Sequence, residues 1–321
     1  MNPLRVLFAG TPDVALPALD QLVTDDRFEV VAVLTNPDRP RGRSRTPQPS
    51  PVAARAHELT LPVLQPERAR DAIDAIRGSG ADIGAIVAYG SILPASVLEA
   101  LPHGFVNLHF SLLPRWRGAA PVQHAIRAGD AVTGVTAFRL DEGMDTGPVL
   151  RSLEWPIAAD HDAGGLLSEL AVAGAPVLAD ALLAVAAGEQ GTAQPADGAT
   201  LAPRIDTADA TVDWSARADE VARHIRSVTP RPGAVTTLAG ARLKVADATV
   251  APSPLEDSPD VPEPGTVLAA DGADVLVRCG EGAVRIGQVQ VAGRPWTSAG
   301  DQVRGRRLAV GMVLGADVAP S

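Results

Sequence analysis

Residues 105–121 read Phe105-Val-Asn107-Leu-His109-Phe-Ser-Leu-Leu-Pro-Arg-Trp-Arg-Gly-Ala-Ala-Pro121. The segment opens as an apolar strand pattern that carries an amide and an imidazole, and a loop punctuated by proline and glycine follows. A carboxylate, Asp145, lies in Asp141-Glu-Gly-Met-Asp145-Thr-Gly147, just beyond a second strand pattern at 134–140. Because polar residues at strand ends of an open α/β sheet face one crevice, we expect these three groups to converge.

The three groups together suit an attack on a carbonyl carbon. An amide donates a hydrogen bond to the developing oxyanion, an imidazole carries a proton, and a carboxylate holds the imidazole. We expect Asp145 to orient His109 and to raise the pKa of its imidazole by opposite charge. Each residue also has an ordinary structural explanation: Asn107 and Asp145 suit turns, and a lone histidine is more often buried than catalytic.

The wider pattern predicts an α/β protein with a second domain. Strand and helix patterns alternate through residues 1–188, which predicts an open, mostly parallel Rossmann-like sheet with helices on both faces. Residues 189–206 are rich in Gly, Gln, Pro and Thr and are typical of a linker. Short strand patterns at regular spacing in 207–321 predict a small C-terminal β-barrel resembling an oligonucleotide-binding (OB) fold.

Composition limits the class of protein. The 321 residues are 46% apolar and 21% charged, with a net charge of −10, which argues against indiscriminate nucleic-acid binding. A single cysteine, Cys279, excludes an internal disulfide framework, and we expect it to be a small core residue. With neither a secretory leader nor an uncharged membrane-length run, we expect a cytoplasmic protein without a membrane partner, and we expect a monomer.

Several other activities lack their motifs. The first strand is not followed by Gly-x-Gly-x-x-Gly, and no Gly-x-x-x-x-Gly-Lys-Ser/Thr occurs, so dinucleotide and phosphate-cradling loops are unsupported. The six histidines are scattered and no His-Glu-x-x-His is present. We therefore expect no metal.

The ordered motifs resemble a known family. Asn107-x-His109, the loop from Ser111 to Gly118, and Asp141-x-Gly-x-Asp145-x-Gly147 are similar to the formyltransferase superfamily that uses 10-formyltetrahydrofolate. The arginine-rich segment at 36–43, together with segments of the C-terminal region such as 210–214, resembles most closely the branch that acts on an initiator aminoacyl-tRNA. The resemblance covers nearly the whole chain.

The resemblance implies a reaction and a set of residues. Asn107, His109 and Asp145 would transfer the formyl group of 10-formyltetrahydrofolate, the formyl donor, to the α-amino group of methionyl-initiator tRNA. Candidates for the folate pocket are Val87, Tyr89, Gly90, Ile92, Leu93, Ser111, Leu112, Leu113, Pro114, Leu140 and Asp141. Candidates for tRNA contact are Arg39, Arg41, Arg43, Arg204, Arg242, Lys244, Arg304 and Arg306.

Other interpretations stay open at this point. Ile92, Leu93 and Leu140 suit ordinary core positions equally well, and a run of arginines is often only a solvated charged segment. A sugar-nucleotide N-formyltransferase or a formyl-folate hydrolase would share the three catalytic groups. A non-catalytic RNA-binding protein could keep the fold, although the intact Asn107, His109 and Asp145 disfavour it.

Overall fold

The computed structural model describes residues 2–40, 46–252 and 261–315. Its helices and strands follow in chain order: β1 (Leu4–Gly10), α1 (Leu16–Thr24), β2 (Phe28–Leu34), β3 (Arg39–Pro40), β4 (Pro47–Gln48), α2 (Pro51–Glu58), β5 (Val63–Leu64), α3 (Ile73–Gly78), β6 (Ile83–Val87), α4 (Ala95–Leu98), β7 (Phe105–His109), α5 (Pro121–Ala128), β8 (Val132–Arg139), β9 (Val149–Pro156), α6 (Ala163–Ala186), α7 (Ala218–Ser227), β10 (Val235–Leu238), β11 (Ala241–Ala251), β12 (Val267–Asp271), β13 (Asp274–Arg278), β14 (Ala283–Val291), β15 (Thr297–Ser298) and α8 (Ala299–Arg304).

The chain divides into two compact units. Unit 1 takes the described residues of Met1–Pro121, Val132–Pro156 and Leu167–Ala202. Unit 2 takes the described residues of Val122–Ala131, Ile157–Leu166 and Pro203–Ser321.

Unit 1 is built on a seven-stranded sheet in the order β5-β2-β1-β6-β7-β8-β9. The pairs from β5 to β7 are parallel, so the expected α/β class is confirmed. Residues 6–9 of β1 are fully buried, as a central parallel strand covered on both faces requires. Leu7, Ala9, Leu34 and Ile86 pack in one core cluster with helix residues such as Ile76.

The last two strand pairs of this sheet, β7 with β8 and β8 with β9, are antiparallel. This direction of β8 changes how Asp145 reaches the site. His109 pairs with Thr136 and Val106 pairs with Arg139, so β8 ends beside the amino-terminal end of β7. The sequence pattern predicts that the strand before Asp145 ends at the same edge of the sheet as His109. In the structure β8 ends at the opposite edge. Leu140 N–H donates to the Phe105 carbonyl at the start of β7, and the loop that follows brings the Asp145 carboxylate to 3.7 Å from His109 Nδ1.

Helix α2 begins at Pro51, where the sequence carries a start signal. Its N-cap is Ser50, whose hydroxyl oxygen accepts a hydrogen bond from the Ala53 backbone N–H at 2.9 Å. Pro51 occupies the first helical position, where a missing N–H costs nothing. A serine followed by proline thus starts this helix by satisfying one backbone N–H and removing another.

Unit 2 contains an antiparallel sheet in the order β10-β11-β14-β13-β12, with β15 also paired to β14. The segment 311–315 hydrogen-bonds to both edges: Gly315 N–H donates to the Thr237 carbonyl at 2.9 Å, and Gly311 N–H to the Val267 carbonyl at 2.8 Å. The expected short-stranded second domain is present. Over the described residues this sheet is open and not the closed barrel we expected, and the segment 311–315 hydrogen-bonds to both of its edges.

The core of unit 2 lies between helix α7 and the sheet. Ile225 of α7, Val245 of β11 and Ile286 of β14 are all fully buried there. Cys279 belongs to the same cluster, as expected, and burial raises the pKa of its thiol to about 12. It is therefore an inert core residue under ordinary conditions.

Helix α6 is long and apolar enough to span a bilayer by length and composition alone. However, 56% of its most apolar window is buried inside the protein, which is also typical of a core helix. Length and composition are thus weak evidence for a membrane segment here.

Candidate active site

Strand β7 presents Asn107 and His109 on one face of the sheet, because side chains two residues apart in a strand share a face. The imidazole is buried, and its ring meets the edge of Phe138 with centroids 6.4 Å apart. The Asn107 side chain is half-buried and makes no hydrogen bond to any residue that the structure describes. Its amide N–H groups are therefore available to a bound molecule.

The orientation of the His109 ring is set by a backbone carbonyl. His109 Nε2 lies 2.8 Å from the Trp116 carbonyl oxygen, which can only accept, so Nε2 carries the proton. In a neutral imidazole the other nitrogen, Nδ1, then keeps its lone pair. Nδ1 faces Asp145 Oδ2 at 3.7 Å, beyond hydrogen-bond distance.

The net pKa shift of His109 differs from our expectation. Burial lowers the pKa of the imidazole below its usual value, and the attraction of Asp145 and the bond to Trp116 offset only part of that effect. Asp145 raises the pKa of His109, as expected, but desolvation lowers it by more because the ring is almost fully enclosed. Burial therefore favours the neutral imidazole of His109 over the imidazolium.

The loop after β7 positions Asp145 through a backbone N–H. Gly118 N–H donates to Asp145 Oδ2 at 2.8 Å. Gly118 has φ of +122°, and a Cβ there would approach the Ala202 carbonyl oxygen to 2.7 Å. Glycine is required at this position because the backbone must come close both to the carboxylate and to the segment around Ala202.

The Asp145 backbone is strained and is held from a distant part of the sequence. Its φ of +51° lies in the left-handed region, which is costly for a non-glycine residue. Gln194 Nε2 donates to the carbonyls of Asp145 and Gly147, both at 2.8 Å. The Arg117 guanidinium in turn donates to Gln194 Oε1 at 2.6 Å.

Gln194 is thus a positioning residue that the sequence did not reveal. It lies in the stretch we interpreted as a linker, where a single glutamine among Gly, Thr and Pro carries no recognisable signal. Thr200 in the same stretch accepts a hydrogen bond from Trp116 N–H at 2.9 Å. Residues 192–202 therefore brace both loops of the site within unit 1.

The residues expected at the folate pocket fall into three groups by burial. Buried ones are Val87, Tyr89, Leu93 and Ser111; Leu112, Leu113, Pro114 and Leu140 are partly buried, and Gly90, Ile92 and Asp141 are exposed. Tyr89, Leu93 and Leu140 pack with the core of unit 1, which matches the ordinary structural interpretation for the last two. Ile92 does not, because 93% of its surface is exposed.

Asp141 braces its own loop. Its Oδ1 accepts hydrogen bonds from Gly143 N–H at 3.0 Å and from the Thr146 hydroxyl at 2.8 Å. A Cβ on Gly147 would collide with the Arg139 carbonyl oxygen, so the loop can close only with glycine there. The pattern Asp-x-Gly-x-Asp-x-Gly is therefore partly a set of loop-closing requirements.

The expected tRNA-contacting cations also differ in their surroundings. Arg39, Arg204, Arg242 and Arg306 are exposed, whereas Arg41 and Arg43 lie outside the described residues. Lys244 is half-buried and donates to the Pro232 carbonyl at 2.6 Å. Arg304 pairs with Asp301 at 2.6 Å. Among residues 2–40, 46–252 and 261–315, no cluster of three or more His, Cys, Asp or Glu side chains is arranged to hold a metal ion.

Comparisons with known families agree with this geometry. A family model described as "Formyl transferase" matches residues 4–182, and one described as "Formyl transferase, C-terminal domain" matches residues 204–307. The chain therefore belongs to the formyl transferase family.

Within that family, relatives that match over nearly their full length carry the name methionyl-tRNA formyltransferase. The protein of that name from Acidothermus cellulolyticus is 47% identical, with 96% of this chain and 99% of the relative covered. The one from Streptomyces coelicolor is 45% identical, with 97% and 100% covered. By identity and by coverage, the chain belongs to the methionyl-tRNA formyltransferase family.

Solved structures extend the likeness of the fold. HypX from Aquifex aeolicus, crystallised with tetrahydrofolic acid, has a TM-score of 0.64 at 17% identity and covers 95% of this chain and 47% of its own. WlaRD, a sugar 3N-formyl transferase, has a TM-score of 0.65 at 16% identity and covers 91% and 99%. At such identity these matches show the fold alone.

The lowered pKa of His109 predicts how stability depends on pH. The unfolded chain has a histidine pKa of about 6.5, so below that pH it binds a proton that the folded protein does not. The free energy of unfolding should therefore fall as pH falls from 7 to 5. His109→Gln should remove up to about 1.4 kcal/mol per pH unit of this dependence, measured by urea unfolding at several pH values. If His109→Gln keeps the wild-type slope while exposed His57→Gln changes it, burial of His109 is not the cause.

The two hydrogen bonds from Gln194 predict a local contribution to stability. Gln194→Ala should lower the free energy of unfolding by about 1–3 kcal/mol, because two donors to a strained loop are lost. Gln190→Ala is the matched control, since the Gln190 side chain donates to the nearby Gly188 carbonyl at 3.0 Å and not to the Asp145 loop. Urea unfolding of both variants checks the difference, and equal losses would show that Gln194 does not hold the loop.

Proposed function

We propose that this protein transfers the formyl group of 10-formyltetrahydrofolate to the α-amino group of methionine esterified to initiator tRNA. The observation that carries the proposal is the site at β7. Its Asn107 amide has no hydrogen-bond partner among the described residues, and it lies beside a buried His109 that faces Asp145. The full-length relatives named methionyl-tRNA formyltransferase support the choice of acceptor.

The proposed acceptor is already reactive near neutral pH. A free α-amino group has a pKa of about 7.7–8.0, and esterification of the carboxyl group should lower it further. A useful fraction of the amine is thus unprotonated, so the protein does not need to generate a strong base. The larger requirement is to stabilise the tetrahedral intermediate that forms when this nitrogen attacks the formyl carbon.

Asn107 is the proposed oxyanion donor. Its amide lies on the same face of β7 as His109 and has no described protein partner to release before it binds the formyl oxygen. A single donor of this kind contributes about 2.7–4 kcal/mol in other enzymes. His109 cannot be a second donor through Nε2, because that proton is committed to the Trp116 carbonyl.

His109 and Asp145 form the proposed proton path. The Nδ1 lone pair of a neutral His109 accepts the proton that the attacking amine loses, and Asp145 stabilises the resulting imidazolium. The same proton then goes to N10 of the folate as the bond between N10 and the formyl carbon breaks. The acceptor gains one formyl group and loses one proton, and the folate leaves as tetrahydrofolate.

The pterin of the donor is assigned to the apolar strand ends beside this site. A flat, polar-edged, uncharged ring suits a slot of apolar side chains and backbone amides. Ile92 provides an exposed apolar side chain, and Leu140 lies at the start of the loop that carries Asp145. We assign Val87, Tyr89, Gly90, Leu93, Asp141 and the segment 111–114 to the same pocket, partly through backbone groups.

The tRNA is assigned to cations of both units. Leu243 and Val245 of β11 point into the core of unit 2, so by strand alternation Arg242 and Lys244 lie on the opposite, outer face. Arg39, Arg41 and Arg43 are proposed to contact the acceptor end. Arg204, Arg304 and Arg306 complete the proposed set, and guanidinium groups suit bidentate phosphate contacts.

The domain division is also a proposal. Residues 1–188 are the proposed catalytic domain and 207–321 the proposed tRNA-binding domain, and the spans 4–182 and 204–307 of the two family models support this division. Residues 189–206 connect them in the chain, and within this connection residues up to Ala202 belong to unit 1. We further propose a cytoplasmic monomer.

The proposed roles predict a kinetic signature for the three active-site residues. Asn107→Ala, His109→Ala and Asp145→Ala should each lower kcat for formylation of methionyl-initiator tRNA by about 100-fold or more, while tRNA binding changes little. The assay mixes protein, 10-formyltetrahydrofolate and charged tRNA and follows formyl-methionyl-tRNA. A near-normal kcat in any variant removes that residue from the mechanism.

Two parallel reactions test the alternative enzymes. Nucleotide-linked amino sugars as acceptors test a sugar-nucleotide N-formyltransferase, and a reaction with no acceptor tests a formyl-folate hydrolase.

The assignment of Arg242 predicts a change in salt dependence. Arg242→Ala should weaken tRNA binding and reduce the slope of log K against log salt by about 1, because one phosphate contact is lost. Arg217→Ala is the control, since Arg217 is already paired with Asp219 and Glu281. Filter binding across a salt series distinguishes the two, and identical slopes for both variants would exclude Arg242 from the interface.

A further inference from the structure

The position of the acceptor's side chain is constrained by the chemistry at Asp145. In an aminoacyl group the α-amino nitrogen and Cβ are bonded to the same Cα, so they lie about 2.5 Å apart. If that nitrogen passes its proton to His109 and Asp145, the side chain must begin within a few ångströms of the same carboxylate. Any surface that distinguishes one amino acid from another therefore borders this pair. This step rests on the proposed function.

Unit 1 has few apolar side chains that fit this requirement. Its described residues leave six large ones exposed: Ile92, Val132, Met144, Leu153, Val172 and Leu201. Met144 immediately precedes Asp145 in the chain, and 64% of its surface is exposed. Its sulfur lies 3.6 Å from the point where a Cβ on Gly118 would stand, and Gly118 N–H is the group that binds the Asp145 carboxylate.

Leu201 borders the same place from another segment. It pairs with Arg117 in a short parallel bridge, and Ala202 N–H donates to the Arg117 carbonyl at 2.7 Å. The Ala202 carbonyl oxygen lies 2.7 Å from the same Cβ point above Gly118. Leu201, which precedes it, is 67% exposed. The Met144 side chain and the backbone of the segment Leu201–Ala202, which are far apart in sequence, thus both lie beside Gly118, the residue that holds the carboxylate.

We propose that Met144 and Leu201 form the contact surface for the methionyl side chain of the acceptor, and so select the amino acid carried by the tRNA. A thioether is apolar, unbranched and polarisable, and Met144 can adapt its own side chain to it. A polar side chain of similar length, such as glutamine, would lose hydration against this surface without gaining a hydrogen bond.

The test compares one tRNA carrying two amino acids. Initiator tRNA is charged with methionine or with glutamine, and kcat and KM for formylation are measured for the wild type, Met144→Gln and Met144→Leu. Met144→Gln should lower kcat/KM for the methionyl form by about 10-fold, mainly through KM, and should change the glutaminyl form by less than about 3-fold. Met144→Leu should stay within about 3-fold of the wild type for both.

Two further variants complete the experiment. Leu201→Gln should reproduce the pattern of Met144→Gln, and it stands in if that variant is unstable. Val172→Gln, at an exposed apolar position on α6, should leave both substrates unchanged. Equal losses of kcat/KM for the two charged tRNAs would overturn the proposal. That outcome would mean that Met144 contacts the terminal nucleotide or only stabilises the fold. If the wild type formylates neither charged tRNA, the proposed function itself is overturned. If the wild type is active and both Met144→Gln and Leu201→Gln keep its preference for the methionyl form, only this inference is overturned.

Discussion

The hydrogen bond from the Gly118 backbone to the Asp145 carboxylate is the contact on which the site depends. It joins two loops, one leaving β7 and one leaving β8, and it determines where the carboxylate lies relative to the His109 ring. The bond requires a glycine with a positive φ, and it requires Asp145 itself to adopt a left-handed conformation. Glycine adopts such a φ freely, but the left-handed conformation is costly for Asp145, so other contacts must stabilise it.

Those contacts come from residues 192–202. Gln194 holds the Asp145 loop by two carbonyls, Thr200 holds the Trp116 N–H, and Ala202 bonds to the backbone of Arg117. Trp116 in turn supplies the carbonyl that sets the His109 tautomer. One short segment therefore determines both which histidine nitrogen is free and where the carboxylate lies, and the chemistry of the site follows from these two facts.

Burial decides the charge of the histidine. Asp145 attracts a proton to His109, but the ring is enclosed by β7, β8 and the Trp116 loop, and desolvation is the larger effect. A neutral imidazole with a free Nδ1 is prepared to accept a proton from an amine. An imidazolium would instead have required the site to lose a proton before the reaction could begin.

The sequence by itself determined the class of fold, the strand that carries Asn107 and His109, and the loop that carries Asp145. These features depend on local patterns: continuous apolar runs make buried parallel strands, and Asp-x-Gly-x-Asp-x-Gly closes a loop only with glycines at set positions. Only the tertiary structure decided the antiparallel direction of β8, the role of Gln194, and the neutral charge of His109. The direction of a strand depends on how the connecting chain enters the sheet. A hydrogen bond between distant residues depends on where the chain returns, and the pKa of His109 depends on all the groups that exclude water from its ring. None of these is encoded in the residues next to the group concerned, so each had to be observed in the folded molecule.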